Sequence, residues 1–377
     1  MSSQQAASKN RLKWIDYTKG VAILGIICFH FFQNYPERTE LVKILDRNGA
    51  RLGYAAVDLF FVIAGFNTSY SFASIKAKLS QGEPIKNNWL IWLKKRLSRL
   101  YPTYWLAIVL TLLIYYLFSQ IKVSSVLDLV FIFIGLPGYP RFRTINPGFW
   151  FFSVILQAYL AIPLILYICK SKPTRILLVG LVIGVLNKLV CLVLLGFQDL
   201  KLFSFFLQLN FLGSYFFPLC LGLYWGFTYF DHKTFRRVDL VISSSVFVIS
   251  LMIYLSLMVS QIRFVYMLGF DIVFTPLFFI VFYYIFEYLE NNKFSLNLGL
   301  NFLSLAGLYS YQIYLIHQPL LFVLLPYLKQ NVHGDASLRL IVSIIVTSVL
   351  LSVYVFLFTQ LESFLRKAVG KISSKPA

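Results

Sequence analysis

The sequence predicts an all-α polytopic membrane protein, a helical bundle of about ten transmembrane helices with one short re-entrant or interfacial segment. Of the 377 residues, 59% are hydrophobic and only 13% are charged, and the mean hydropathy is +0.74. A soluble domain carries about a quarter charged residues. The apolar runs are long and unbroken, which favours helices over the alternating ~10-residue segments of a membrane barrel.

Ten runs have the roughly 20 mostly apolar residues that a membrane span needs. In chain order they are residues 17–35, 53–75, 100–120, 148–169, 174–196, 204–230, 239–258, 265–289, 303–328 and 339–363. A further run over 126–136 is too short and stops at "LPGYP", so we assign it to the re-entrant or interfacial segment. We expect one integral-membrane domain over residues 1–377, with tails at about 1–12 and 365–377 and a loop at 35–52.

The charges predict how the bundle is oriented. Both tails and the loops after spans two, four and six are rich in lysine and arginine, and all lie on one side of a ten-span chain. The positive-inside rule makes that side cytoplasmic, with both termini there. The same rule accounts for the net charge of +19 without nucleic acid. The first run has no small-residue cleavage site and is interpreted as an uncleaved span.

The four cysteines fall inside apolar runs, at Cys28, Cys169, Cys191 and Cys220. This placement is typical of small packing residues. We therefore expect neither a disulfide nor a metal site.

Ionisable side chains inside spans are costly in hydrocarbon and are therefore candidates for function. His30 in the first span and Asp58 in the second lie at similar depth, because the two spans run in opposite directions. A carboxylate beside an imidazole would orient it and stabilise its protonated form. Other interpretations stay open: His30 bonds a neighbouring helix or faces a wet cavity, and Asp58 braces a helix. Asp271 either joins a polar cavity or pairs with a basic group.

A polar stripe occupies the ninth span. Tyr311, Tyr314 and His317 recur every three residues and share one side of a helix. They either form a hydrogen-bonding wall around an acceptor molecule or pack against neighbouring helices.

Basic residues stand where phosphate groups would meet the inner face. Arg96 and Arg99, three residues apart, share one helix face and present forked donors that suit phosphate oxygens. Lys19 opens the first span, with ten residues between it and His30. The alternatives are positive-inside anchoring for the arginines and snorkelling to the headgroups for Lys19.

These segments together resemble the acyltransferase 3 family of membrane O-acyltransferases over nearly the whole chain. Five stretches occur in the family's order: "RLKWIDYTKGVAILGIICFHF", "DLFFVIAGF", "RLSRLYP", "GFWFFSVILQAYLAIPL" and "YSYQIYLIHQPL". Ala64 stands where serine is common. Ile155 and Leu156 replace acidic residues that many polysaccharide-modifying members carry after the tryptophan, here Trp150.

The resemblance implies transfer of an acyl group, acetyl by default, from cytoplasmic acyl-CoA to a hydroxyl of an extracytoplasmic glycan, glycolipid or other acceptor. It implies a bacterial plasma membrane and acyl-CoA as co-substrate, with no tightly bound cofactor. The expected roles are catalysis for His30 and Asp58, acyl-CoA binding for Arg96, Arg99 and Lys19, and acceptor binding for Trp150, Tyr311, Tyr314, His317 and Asp271. A transporter or flippase for a glycolipid or small solute is the alternative, since many spans and buried charges suit it too.

Overall fold

The computed structural model describes residues 12–80, 89–118, 125–136, 138–198, 202–203, 206, 211–256, 270–292 and 297–373. Within these ranges the regular structure is helical and contains no strand, which confirms the all-α class. The α-helices are α1 (Lys13–Asn34), α2 (Glu40–Ser80), α3 (Trp89–Leu117), α4 (Val126–Ile134), α5 (Tyr139–Phe142), α6 (Trp150–Ile168), α7 (Pro173–Gly196), α8 (Phe216–His232), α9 (Arg237–Ser256), α10 (Phe270–Val273), α11 (Thr275–Asn291), α12 (Asn297–Leu308), α13 (Ser310–Asn331) and α14 (Ala336–Ser373). Short 3-10 turns, Pro147–Phe149 and Leu212–Tyr215, precede α6 and α8.

The expected ten spans are not all found among the residues that the structure describes, and parts of the predicted spans 204–230, 239–258 and 265–289 lie outside those residues. In the part of the chain that the structure describes, six helices are long and apolar enough to cross a membrane, namely α1, α2, α3, α6 with its preceding turn, α7 and α14. The pair α12 and α13 adds a seventh if it counts as one span. Helices α8 and α11 have 17 residues each, fewer than the roughly 20 of a full span. The prediction of ten spans is therefore not confirmed, although the apolar helices fit a membrane protein.

Helix α2 begins at Glu40, so the prediction of a loop through residue 52 is wrong. An ion pair between Lys43 and Glu40 (2.7 Å) supports the first turn, and buried Val42 packs against the end of α1. Mixed charge in this stretch reflects the polar face of a helix. Helix α14 likewise continues to Ser373, into the predicted tail.

The ninth predicted span is broken. Helices α12 and α13 meet at Tyr309 and differ in direction by 80°. The prediction of one continuous helix over 303–328 is therefore wrong. The break separates residues 303–308 of the span from the polar stripe, which lies wholly on α13.

In the core of the bundle, the helix backbones come into close contact at glycines. A Cβ on Gly222 of α8 would overlap the Val62 carbonyl of α2, and a Cβ on Gly307 of α12 would overlap the Asp16 carbonyl of α1. Small residues allow such close contact between membrane helices. Cys220 fills the space left by Gly180 where α7 meets α8, the packing role expected of a free cysteine.

The short predicted segment is a nine-residue helix, α4. Its last carbonyls have no partner within the helix. Side chains of α3 satisfy them: Tyr104, Trp105 and Tyr101 donate to the carbonyls of residues 132, 133 and 134 over 2.7, 2.9 and 2.9 Å. These bonds attach α4 to α3 and explain how so short a helix is held.

Candidate active site

Two histidines from opposite ends of the chain meet inside the bundle. His30 lies in the last two turns of α1 and His317 lies in α13, and their ring centroids are 5.2 Å apart. His317 is fully buried, whereas His30 is half-buried. His30 is therefore the ring that a reactant reaches first, with His317 behind it.

The tautomer of His317 follows from its partners. Its Nδ1 lies 2.8 Å from the carbonyl oxygen of Tyr314 and 3.1 Å from that of Ile313. A carbonyl can only accept, so Nδ1 carries the proton and Nε2 keeps its lone pair. Nε2 is buried and has no hydrogen-bond partner within the described ranges. His317 is thus a neutral base with a free lone pair.

Two glutamines hold His30 through the same ring nitrogen. Gln33 Oε1 lies 3.1 Å from Nδ1, and Gln318 Nε2 lies 2.9 Å from it. A proton on Nδ1 satisfies Gln33, because an amide oxygen accepts. The Gln318 Oε1 has no partner as assigned, and the nitrogen and oxygen of an amide are told apart by their hydrogen bonds. Exchanging the two places Oε1 against the same N–H, where it accepts a hydrogen bond. Both amides then bond Nδ1–H, which leaves Nε2 of His30 with a lone pair that can accept a proton.

Gln318 is a site residue that sequence reasoning missed. The available signal was a glutamine inside a span, next to a histidine and before Pro319. Because Pro319 has no N–H, the Leu315 carbonyl lacks its helical partner. Asn146 supplies one: its Nδ2 donates to that carbonyl over 2.7 Å, and its Oδ1 accepts from the Gly148 amide over 2.9 Å. This clamp fixes the turn before α6 against the part of α13 that carries both site residues.

Aromatic rings connect Trp150 to the histidines. Trp150 stacks on Tyr215, with 5.7 Å between ring centroids, and also contacts Phe151. Phe151 lies 4.8 Å from Tyr314, whose ring is 5.8 Å from that of His317. The structure thus brings together four predicted site residues: His30, His317, Tyr314 and Trp150.

The two predicted acidic residues have partners elsewhere. Asp58 is fully buried and accepts from the Thr275 hydroxyl at the start of α11 over 3.3 Å. The hydrogen bonds of His30 go to the two glutamines and do not include Asp58. Asp271 forms a buried ion pair with Lys188 of α7 at 3.1 Å, which is the structural alternative that the sequence left open.

The predicted donor-binding arginines share α3 but have different surroundings. The Arg96 guanidinium lies over Trp92 and Tyr159, 5.5 and 5.7 Å from their centroids. The Arg99 side chain is exposed. Arg99 is therefore the better placed of the two to meet a soluble anion.

Lys19 and Tyr311 lie apart from the histidines. Lys19 forms an ion pair with Asp16 at 3.3 Å, and its position eleven residues before His30 puts it roughly 16 Å along α1. The Tyr311 hydroxyl donates to the Leu100 carbonyl over 3.3 Å, next to Arg99 on α3. The polar stripe on α13 is thus divided, with Tyr311 at the level of the arginines.

Comparison with known proteins decides the family. The acyltransferase 3 family model, described as an acyltransferase domain, matches residues 12–357. The chain belongs to this family. No curated protein and no solved structure matches it significantly. Membership confirms the predicted resemblance and supports a membrane-embedded transferase, and the matched range includes both histidines, Gln318 and the two arginines of α3.

Proposed function

We propose that the protein transfers an acyl group, acetyl by default, from cytoplasmic acyl-CoA to a hydroxyl of an extracytoplasmic acceptor. The acceptor is a cell-surface glycan, a glycolipid or another hydroxyl compound. The observation that carries the proposal is the contact between half-buried His30 and buried His317 in a member of an acyltransferase family. A half-buried imidazole with a free ring nitrogen is the group that general-base activation of an alcohol requires.

The reaction needs only three participants, namely the acceptor hydroxyl, the thioester and His30. Nε2 of His30 takes the proton of the acceptor hydroxyl while the oxygen attacks the thioester carbonyl carbon. The carbon–sulfur bond then breaks, and the departing coenzyme A thiolate takes the proton from the imidazolium. The products are an ester and a free coenzyme A thiol, and the histidine returns to its neutral form.

The groups around His30 support this proton transfer. Gln33 and Gln318 hold Nδ1, which fixes the ring plane and directs Nε2 at the reactants. His317 packs a second ring behind His30, 5.2 Å between centroids, which helps to hold the His30 ring in place. Well-placed base catalysis contributes typically 10²–10⁴-fold.

The donor is assigned to the basic residues of the cytoplasmic side. The exposed Arg99 meets the phosphates first, with Arg96 behind it on the same helix. Lys19, held by Asp16, is a third basic residue that we assign to the donor. Asp58 and Asp271 contribute through the position of α11 and α10 and do not touch the reactants.

The test is the fate of the thioester. Purified protein in lipid nanodiscs is incubated with acetyl-CoA and a polyhydroxylated glycan or glycolipid extract, and release of free coenzyme A thiol is followed with a thiol reagent. We expect release that depends on the protein and on the extract. A protein that binds a solute and leaves the thioester intact would be a transporter. Comparing surface glycans of cells with and without the gene then identifies the molecule that loses an ester.

The histidine dependence needs a matched control. His333 lies in an exposed loop after α13 and carries the same side chain. His333→Gln should release thiol at the wild-type rate, whereas His30→Gln should not. Equal rates from the two variants would remove His30 from the reaction.

A further inference from the structure

The two histidines of the candidate site have the spacing of two ligands on one metal ion. Their ring centroids are 5.2 Å apart. Zinc is tetrahedral with Zn–N bonds of about 2.0–2.1 Å, which places the centroids of two imidazole rings on one ion about 5 Å apart. The observed separation matches this value, so neither α1 nor α13 has to move for a zinc ion to be shared between the rings.

Both histidines keep a ring nitrogen that a metal ion can use. His317 Nε2 is buried and has no hydrogen-bond partner within the described ranges, because the proton of that ring is on Nδ1. His30 Nε2 keeps its lone pair, since Gln33 and Gln318 both bond Nδ1–H. A neutral imidazole nitrogen with a lone pair is the commonest metal ligand in proteins.

The opposite ring nitrogens have the partners that metal-binding histidines have. Such a histidine donates its other ring N–H to a carbonyl, a carboxylate or water, which fixes the tautomer and the orientation of the ring. Nδ1–H of His317 donates to the Tyr314 carbonyl over 2.8 Å, and Nδ1–H of His30 donates to the Gln33 amide oxygen over 3.1 Å. Two separate features, the ring spacing and the partners of both N–H groups, therefore indicate the same ligand.

The atoms at the site select the class of ion. Imidazole nitrogens suit Zn²⁺, Cu²⁺ and Ni²⁺, whereas Mg²⁺ and Ca²⁺ take oxygen ligands. The buried carboxylates Asp58 and Asp271 have partners elsewhere. Cys28, two residues before His30, lies on a different face of α1. We therefore expect zinc to bind in preference to magnesium or calcium.

Two protein ligands make an open, exchangeable site. Among the described residues, no group of three or more His, Cys, Asp or Glu side chains could hold a metal ion, so the remaining tetrahedral positions are left to water. Half-buried His30 provides the access. Such a site differs from a structural zinc site, in which four protein ligands close the coordination shell.

We infer that His30 and His317 together bind one zinc-class cation through their Nε2 atoms, and that the bound ion inhibits acyl transfer. The binding stands on the geometry of the two rings, whereas the inhibition rests on the proposed function. A metal–nitrogen bond uses the lone pair of His30 that would take the proton of the acceptor hydroxyl. The ion and the acceptor therefore compete for one nitrogen, and a chelator should restore the activity.

Zinc titration of tag-free protein in phosphatidylcholine nanodiscs tests the binding, with a fluorescent zinc indicator as the competitor. His232→Gln combined with His333→Gln is the matched control, because these are the other two histidines of the chain and both are exposed. Loss of even a hydrogen-bonding partner of a ligand typically costs about 10–100-fold in metal affinity. We expect one zinc ion per wild-type or control protein, and binding weaker by about tenfold or more for His30→Gln and for His317→Gln.

A second measurement avoids substitutions in the buried pair, so that misfolding cannot imitate the result. X-ray absorption at the zinc edge of the control protein should show about two imidazole nitrogens at about 2.0 Å, with oxygen in the remaining positions. Magnesium chloride in excess should leave this spectrum unchanged. A spectrum without imidazole would overturn the inference.

The inhibition is measured as transfer of radiolabel from acetyl-CoA to the glycan or glycolipid extract. Zinc should raise the KM for the acceptor in wild type and in the control protein, leave the KM for acetyl-CoA unchanged, and lose its effect when a chelator is added. Transfer that is insensitive to zinc bound at the pair would overturn the inhibition.

The outcomes separate the metal site from the proposed function. If zinc binds His317→Gln as tightly as wild type, or if the control protein loses binding, the ion occupies a surface position and the inference is overturned, while acyl transfer stands. A water molecule held between the two rings in place of an ion would give no binding, with the same consequence. If zinc binds at the pair but the wild-type protein transfers no label in the absence of zinc, the proposed function falls and the metal site stands.

Discussion

The Gln318 carboxamide gives the sharpest prediction about the geometry of the site. Gln318→Leu removes the group 2.9 Å from His30 Nδ1 and leaves Gln33 as the remaining partner of that nitrogen. A net hydrogen bond is worth about 1 ± 0.5 kcal/mol. Since each 1.36 kcal/mol is tenfold in rate, we expect kcat to fall about fivefold, within a range of roughly twofold to thirteenfold.

The same substitution should not weaken the fold. In either orientation of the Gln318 amide one of its two polar atoms is buried and unpartnered, and leucine has a similar volume without that atom. The His30 Nδ1–H keeps Gln33 as its partner in the variant, so that no buried donor is left unpaired. The unfolding temperature is therefore expected to stay within a few degrees, which separates a catalytic effect from misfolding.

The assay is steady-state thiol release from acetyl-CoA in nanodiscs, with kcat and the donor KM determined separately. Asn331→Leu is the matched control, because Asn331 is an exposed carboxamide on the same helix that bonds to the Tyr327 carbonyl, 2.8 Å away. We expect a lower kcat for Gln318→Leu, unchanged KM, and wild-type values for the control. An unchanged kcat for Gln318→Leu would refute the view that this amide orients His30.

Three further predictions concern the ion pair, the donor and the packing. Asp271→Leu should cost roughly 3–5 kcal/mol of unfolding free energy because it removes the carboxylate 3.1 Å from the buried Lys188 ammonium, and adding Lys188→Met should restore most of it. A double variant as weak as the single one would contradict this. Arg99→Ala should raise the KM for acetyl-CoA and leave kcat unchanged, and the rise in KM should be smaller at high salt. A fall in kcat alone that does not depend on salt would contradict donor binding. Gly307→Ala should lower the free energy of unfolding by about 1–3 kcal/mol, because the new Cβ overlaps a backbone carbonyl of α1. Gly196→Ala is the control and should be neutral, because a Cβ there meets open space. Equal unfolding temperatures for the two variants would contradict this packing.

The sequence predicted the helical class and several residues of the candidate site because those features are local. Long apolar runs specify helices in lipid, and a histidine inside such a run is a candidate without any knowledge of its neighbours. His30 and His317 were found in this way, and the family resemblance joined them to one activity. Their mutual contact depends on how α1 and α13 cross, which no local pattern encodes.

Two of the wrong predictions, namely the partner of His30 and the continuity of the ninth span, depend on how the helices pack and not on the local sequence pattern. A carboxylate at the right depth made Asp58 the expected partner of His30, but depth does not determine which way a helix is rotated. Asp58 is directed to Thr275, and amides of Gln33 and Gln318 take its place. The break at Tyr309 was missed because both halves of the span are apolar, so that composition alone predicts one helix.

The central claim, that His30 is the general base of acyl transfer, is tested most directly by a single-turnover measurement. His30→Ala protein is loaded with saturating radiolabelled acetyl-CoA, mixed with the acceptor, and the rate of label transfer is compared with that of wild type. We expect a rate 10²–10⁴-fold lower with donor binding and unfolding temperature unchanged. Transfer at the wild-type rate by the His30→Ala protein would contradict the account.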